Sequence, residues 1–159
     1  MKFNSALRNF VLVLFSTLLI SACSTAKKAK VDTVDDVYTG TDTVEFLAKG
    51  VPDRIFFATN KSKLTTRSRD TLRKQATFLR KNKDVTVTLE GHADERGTRE
   101  YNLALGERRA NAARDYLMTY GVSGKRLSVI SYGKEKPVNP ASTPLAWSQN
   151  RRAVTIKTN

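Results

Sequence analysis

Past residue 50, apolar and polar positions follow two periods that separate strands from helices. Arg54-Ile55-Phe56-Phe57-Ala58 is short and apolar on both faces, which predicts a first strand lying inside a sheet. From residue 65 to 82, Leu72, Ala76 and Leu79 recur at helical spacing, with Thr65 or Thr66 available as N-cap, so an amphipathic helix is expected. Its other face carries Arg67, Arg69, Arg73, Lys74, Arg80, Lys81 and Lys83, read most simply as a solvated basic surface. Val85-Thr86-Val87-Thr88-Leu89-Glu90 alternates strictly and predicts a strand with one buried face. A second helix is expected over residues 101–120, closed by Gly121 at its C-terminus. Leu105, Arg109, Ala112, Ala113, Tyr116 and Tyr120 share one side of it, so a fixed charge stands in line with the packing face and needs a partner. Leu127-Ser128-Val129-Ile130-Ser131-Tyr132 reads as a third strand, residues 133–149 as a Pro-containing loop, and Ala153-Val154-Thr155-Ile156 as the last strand. The order β-α-β-α-β-β predicts an α/β protein of the two-layer α+β sandwich type, with two main helices packed on one side of a mixed sheet.

Upstream, the pattern changes twice. Residues 24–49 are polar, rich in Thr, Asp, Lys and Val, without a sustained apolar period, and read as a tether. Before them, Lys2 and Arg8 precede the uncharged run from Phe10 to Ala22, the charge-then-apolar order of a secretory signal. That run has about 13 residues, against about 20 needed to span a bilayer, so a permanent transmembrane helix is not expected. It closes on Ile20-Ser21-Ala22-Cys23, which resembles the lipobox of bacterial lipoproteins and accounts for the lone cysteine better than an incidental thiol does. The resemblance implies a covalent lipid on Cys23, N-acyl and S-diacylglycerol, and no other cofactor. Several acyl chains anchor where one binds only marginally. Ser24 stands where an inner-membrane retention signal usually carries Asp, which by the same resemblance implies the outer membrane. The expected organisation is a signal peptide (1–22), a lipidated tether (23–49) and a folded domain (50–159).

Composition adds a partner class. The formal charge is +13 in 159 residues, and only Lys2 and Arg8 of the basic residues fall in the leader, so the folded part favours an anionic partner. One His and one Cys leave little for a metal set or a nucleophilic triad.

Gly91-His92-Ala93-Asp94-Glu95-Arg96-Gly97 joins the second strand to the second helix, a usual place for a ligand site. Gly91 and Gly97 permit tight turns, and Asp94 and Glu95 offer charges that Arg96, Arg108 and Arg109 can answer. This loop with Thr98, then Glu100-Tyr101-Asn102, Leu105-Gly106-Glu107-Arg108-Arg109-Ala110-Asn111-Ala112, Ser131-Tyr132-Gly133 and Asn150-Arg151-Arg152-Ala153, resembles the OmpA-like domain over residues 51–157. The likeness is nearest to the peptidoglycan-associated lipoproteins of the Tol-Pal system. It implies non-covalent binding of peptidoglycan through the diaminopimelate of its stem peptide, with Asp94 and Arg109 matching the principal ligand residues. Asn102 and Leu105 flank the implied pocket, Thr59 and Asn60 follow the first strand, and Arg151 belongs to the Asn-Arg-Arg motif. After Phe57, where many relatives carry an aspartate, this chain has Ala58, and Asn60 is a neutral acceptor nearby. Implied partners are peptidoglycan, the outer membrane, periplasmic Tol protein B and the inner-membrane Tol proteins, in a role in envelope integrity and cell division. The physical requirement agrees: diaminopimelate ends in an ammonium and a carboxylate on one carbon, so its receptor needs an acid and a base close together.

Other readings compete. Asp94 and Arg109 could form a salt bridge that only fastens loop to helix. His92, Asp94 and Glu95 lie together as in a hydrolase, although His92 in such a loop is more simply a hydrogen-bonding strut. The basic first helix could meet nucleic acid, but no stacking platform or nucleic-acid motif accompanies it. Charge-driven adhesion to the envelope, or a protein contact, is the remaining alternative.

Overall fold

The computed structural model describes residues 36–158; Cys23 and the leader expected over 1–22 lie outside them. A small antiparallel pair, β1 (Phe46–Ala48) and β2 (Val51–Pro52), precedes a four-stranded sheet of β3 (Arg54–Phe56), β4 (Val87–His92), β5 (Leu127–Gly133) and β6 (Arg152–Lys157). The spatial order is β3-β6-β4-β5, with β4 and β5 parallel and β6 antiparallel to both its neighbours. Among the described residues three α-helices accompany the sheet: α1 (Thr66–Lys81), α2 (Arg99–Thr119) and α3 (Pro144–Asn150). Leu72, Ala76 and Leu79 of α1 and Ala110, Ala113 and Leu117 of α2 join Ile55, Val87, Leu89, Leu127 and Ala153 in one core. Both main helices therefore cover the same face of a mixed sheet, as the element order predicts.

The ends of the helices explain where they start and stop. Thr65 caps α1, its hydroxyl accepting from the Ser68 amide at 3.1 Å, and Arg80 and Lys81 oppose the dipole at the other end. At the close of α2, Gly121 takes a positive φ of 81°, its amide donating to the Met118 carbonyl and that of Val122 to the Leu117 carbonyl. That is a Schellman end, with buried Val122 joining Leu117 in the core.

Several expectations are corrected. The first strand is the sheet's edge, not its interior: β3 pairs only with β6, and its burial comes from what lies alongside. Ser68 donates its hydroxyl to the Phe56 carbonyl at 3.1 Å, and the Tyr38 ring stands edge-on to Phe56 at 4.8 Å. From Asp36 onward, residues assigned to the tether are packed instead, since Tyr38 and Leu47 are buried and β1 pairs with β2. The loop expected over 133–149 holds α3, which has Thr143 as N-cap, Pro144 in its first turn, and only enough length to bury Ala146, Gln149 and Asn150. Its seven residues are too few to show a period. The second strand is shifted two residues from where its alternation suggests, beginning at Val87 instead of Val85, so Gly91 and His92 belong to β4. On α2 the buried line is Asn102, Leu105, Gly106, Arg109, Ala110, Ala113 and Leu117, whereas Tyr116 and Tyr120 stack on each other outside the core at 4.9 Å.

That rotation of α2 follows from two glycines. A Cβ on Gly91 would lie 1.8 Å from the Gly106 carbonyl oxygen, and one on Gly106 would meet Gly91 O at 2.8 Å and Ser131 Oγ at 2.4 Å. Helix and strand touch backbone to backbone here, which turns the Gly106 side of α2 toward the sheet and brings Arg109, one turn on, into the interior. Gly106→Ala is expected to destabilise the fold by about 1–2 kcal/mol although Ala favours a helix by about 1 kcal/mol over Gly, because α2 must lift off β4. Urea unfolding would check the sign; a stabilised variant would show that the contact yields freely.

Candidate functional site

The site forms where β3 and β4 end and β6 begins, beneath the N-terminal half of α2. After β4, Ala93 keeps sheet-like pairing by donating to the Gly133 carbonyl at 2.7 Å, and the chain then turns at Asp94. One Asp94 oxygen accepts the Arg96 amide and Arg96 Nε, both at 3.1 Å. The other accepts Arg96 Nη2 at 2.7 Å and Arg151 Nη1 at 3.4 Å. Burial pushes against this charge, but the Arg96 hydrogen bonds and Arg151 outweigh it and hold the carboxyl below its ordinary value. Asp94 is therefore ionised and tied to two cations.

The charges Asp94 and Glu95 were expected to meet Arg96, Arg108 and Arg109; the structure gives them Arg96 and other partners. Glu95 accepts Trp147 Nε1 at 2.8 Å and the Ser142 hydroxyl at 3.0 Å, bonds that lower its pKa. Arg96 in turn lies 4.3 Å above the Trp147 ring. Helix α3, which periodicity does not reveal, is thus part of the site; the signals for it are Thr143-Pro144 at a helix start and a lone Trp in a polar stretch.

Arg109 is fully buried and holds backbone, not carboxylate. Its Nε donates to Lys61 O at 2.9 Å, Nη1 to His92 O at 2.8 Å and Nη2 to Ala58 O at 3.1 Å, with the guanidinium 5.3 Å from the Phe57 ring centre. Burial, then the neighbouring Arg151 charge, pushes its pKa down to about 10, which leaves it protonated at neutral pH. Three of a guanidinium's five N–H groups are used in this way. The direct Asp94–Arg109 salt bridge is replaced by two linked nodes. Arg151, 3% exposed, is the second: its Nε donates to Phe57 O at 3.1 Å while its Nη groups reach Asp94 and Asp36.

The other predicted residues fall around these nodes. Thr59 joins Asp36 and Arg96, its amide donating to Asp36 Oδ2 at 2.6 Å and its hydroxyl accepting from Arg96 Nη2 at 3.4 Å. Asn102 is buried and donates to Arg96 O at 2.9 Å, which fixes the turn. Leu105 is buried one turn before Arg109, and Asn60 is exposed with a positive φ of 54°; neither makes a polar contact to Asp94. A cavity of about 290 Å³ is walled by Thr59, Arg96, Trp147, Arg151 and a residue the sequence did not single out, Asp36; Asp94, Arg109, Asn60, Asn102 and Leu105 are not on its wall. Among the described residues no group of three His, Cys, Asp or Glu side chains is placed to hold a metal.

His92 is not the expected strut. Its carbonyl receives Arg109, but both ring nitrogens are buried without hydrogen-bond partners. Burial, followed by Arg152, Lys136 and Arg54, pushes its pKa down to about 3, and Glu90 at 3.6 Å does not reverse this.

A family model described as the OmpA family matches residues 56–151. The peptidoglycan-associated lipoprotein of Mesorhizobium japonicum is 44% identical over 153 residues, covering 93% of this chain and 91% of that one. That of Rhizobium meliloti is 58% identical over 106 residues, 67% of this chain, and the match spans only 60% of that relative's length. The crystal structure of the peptidoglycan-associated lipoprotein from Burkholderia pseudomallei superposes with a TM-score of 0.65 at 35% identity, covering 67% of this chain and 90% of that one. The chain belongs to the OmpA family, on the branch of the peptidoglycan-associated lipoproteins.

Below about pH 6.5 an unfolded His92 takes up a proton that the native state refuses until about pH 3, so stability is expected to fall as pH drops through that window. The loss between pH 7 and 5 is about 2 kcal/mol. Urea unfolding of the protein and of His92→Gln at several pH values tests this; equal pH slopes for the two would refute it.

Proposed function

We propose that this protein holds peptidoglycan non-covalently and so anchors the outer membrane to the wall, without catalysing a reaction. The observation that carries the reading is a small cavity walled by the Asp36 carboxylate and the cations Arg96 and Arg151, the two arginines that also hold the Asp94 carboxylate. A diaminopimelate side chain presents an ammonium and a carboxylate on one carbon, and this arrangement meets both. The relatives' name, peptidoglycan-associated lipoprotein, supports the same ligand.

In this reading Asp94 and Arg109 form the core of the ligand site, Thr59, Asn60, Asn102 and Leu105 shape it, and Arg151 carries charge from one carboxylate to the next. Lipid on Cys23, N-acyl and S-diacylglycerol, holds the other end at the outer membrane, and the domain faces the periplasm. Periplasmic Tol protein B and the inner-membrane Tol proteins are the proposed protein partners, in a system serving envelope integrity and cell division.

The lipid-free chain 24–159 should sediment with insoluble diaminopimelate-type peptidoglycan at about 0.15 M salt, where loose ionic attraction is partly screened. Asp94→Asn and Arg109→Lys suit the test: the first keeps the shape and one acceptor oxygen but removes the charge, and the second keeps charge but loses the planar fork. Each is expected to weaken binding at least about tenfold with the fold retained by circular dichroism. Equal binding by all three would assign the interaction to the basic surface, and binding by none would point to a protein as the ligand.

A further inference from the structure

Asp94 cannot readily serve an incoming ammonium alone, because Arg96 and Arg151 already occupy both its oxygens. The cavity wall has a different carboxylate, brought from far upstream. Asp36 Oδ2 accepts the Thr59 amide at 2.6 Å and lies 3.5 Å from Arg151 Nη2. The side chain is 44% exposed, in contrast to Arg151 at 3%, so the carboxylate reaches solvent at the cavity wall.

The segment that carries Asp36 is pinned in three places. Tyr38 is buried against Phe56, Asp42 accepts Gln149 Nε2 at 3.0 Å, and Arg151 Nη2 donates to the carbonyl of Asp36 itself. Position 58, beside the same amide, contributes only a methyl group. Desolvation opposes the charge of Asp36, but the Thr59 bonds and Arg151 hold its carboxyl below the ordinary value, so it is ionised where a ligand would meet it.

We propose that Asp36 is a ligand-binding residue of this chain: its half-exposed carboxylate receives the ammonium of the wall peptide's diamino acid while Arg96 and Arg151 face that ligand's carboxylate. The assignment rests on the peptidoglycan reading. It makes the site composite, with one carboxylate from the segment before β1 and one from the loop after β4. Specificity follows from this pairing, because a ligand lacking the ammonium leaves Asp36 without a partner.

The full-length protein in detergent is sedimented with diaminopimelate-type wall, native or N-acetylated with acetic anhydride to remove its free ammonium groups. The variants are Asp36→Asn, which keeps an acceptor for the Thr59 amide, and Asp36→Asn with Ala58→Asp, which returns a carboxylate next door. Acetylation should weaken wild-type binding about tenfold, the scale of one charge-assisted hydrogen bond. Asp36→Asn should bind native wall at that lowered level and become indifferent to acetylation, and the double variant should recover both strength and sensitivity. A merely structural role for Asp36 would leave the response to acetylation intact. Wild-type strength with full acetylation sensitivity in Asp36→Asn overturns the proposal. So does tighter binding, which would make Asp36 an internal competitor for the ligand's carboxylate donors. If the wild type itself does not sediment, the peptidoglycan reading falls first and this one with it.

Discussion

Arg109 carries a positive charge into a place that water does not reach, and much of the site is arranged around how that charge is satisfied. An isolated buried ion costs several kcal/mol, so a guanidinium survives there only with good hydrogen-bond geometry. It finds this in the carbonyls of Ala58, Lys61 and His92, which come from two segments far apart in sequence. Because the fork is planar and rigid, satisfying it fixes the loop after β3 against the end of β4, with α2 as the frame. The Gly91–Gly106 contact is what lets α2 come close enough to deliver the side chain. A lysine in the same place could not span three acceptors with one geometry.

From that frame the charges alternate outward: Arg96, Asp94, Arg151, Asp36. Each carboxylate touches a cation, and Arg151 touches two carboxylates. Such a row is held before any ligand arrives, so little side-chain ordering remains to oppose binding. It also explains how buried Arg151 is tolerated, since burial lowers its pKa while Asp36 and Asp94 work in the opposite direction. Trp147 closes the row by receiving Arg96 on its face and giving its N–H to Glu95.

Elements that repeat are legible in the sequence, and contacts that do not repeat are hidden. The Leu72, Ala76, Leu79 spacing and the cap at Thr65 locate α1 because both signals are local. An apolar strand such as Arg54–Phe56 looks the same whether another strand or a helix covers it, so its edge position is invisible. Asp94 and Arg109 are conspicuous as residues, yet their pairing is misread because carbonyl acceptors carry no side-chain signature. Asp36 has no local signal: it lies in a polar stretch and gains meaning only from Thr59 and Arg151, far away in the chain.

The strong positive charge then belongs to a different step from recognition. Arg67, Arg73, Lys74, Arg80 and Lys81 of α1 are exposed, and charges in water are screened beyond about 8 Å at physiological salt. They can raise the rate at which an anionic wall is met without distinguishing one anion from another. Within the row, Arg151 is buried and tied to the Phe57 carbonyl, and Arg109 beside it is tied to those of Ala58 and His92, so these charges are screened less; in the proposed reading they distinguish a carboxylate with an adjacent ammonium from a carboxylate alone. In the proposed anchor, approach would depend on salt and on the surface of α1, whereas release would depend on a few short bonds around Asp94. That division suits a tether to a polymer whose charge is everywhere and whose diamino-acid termini are sparse.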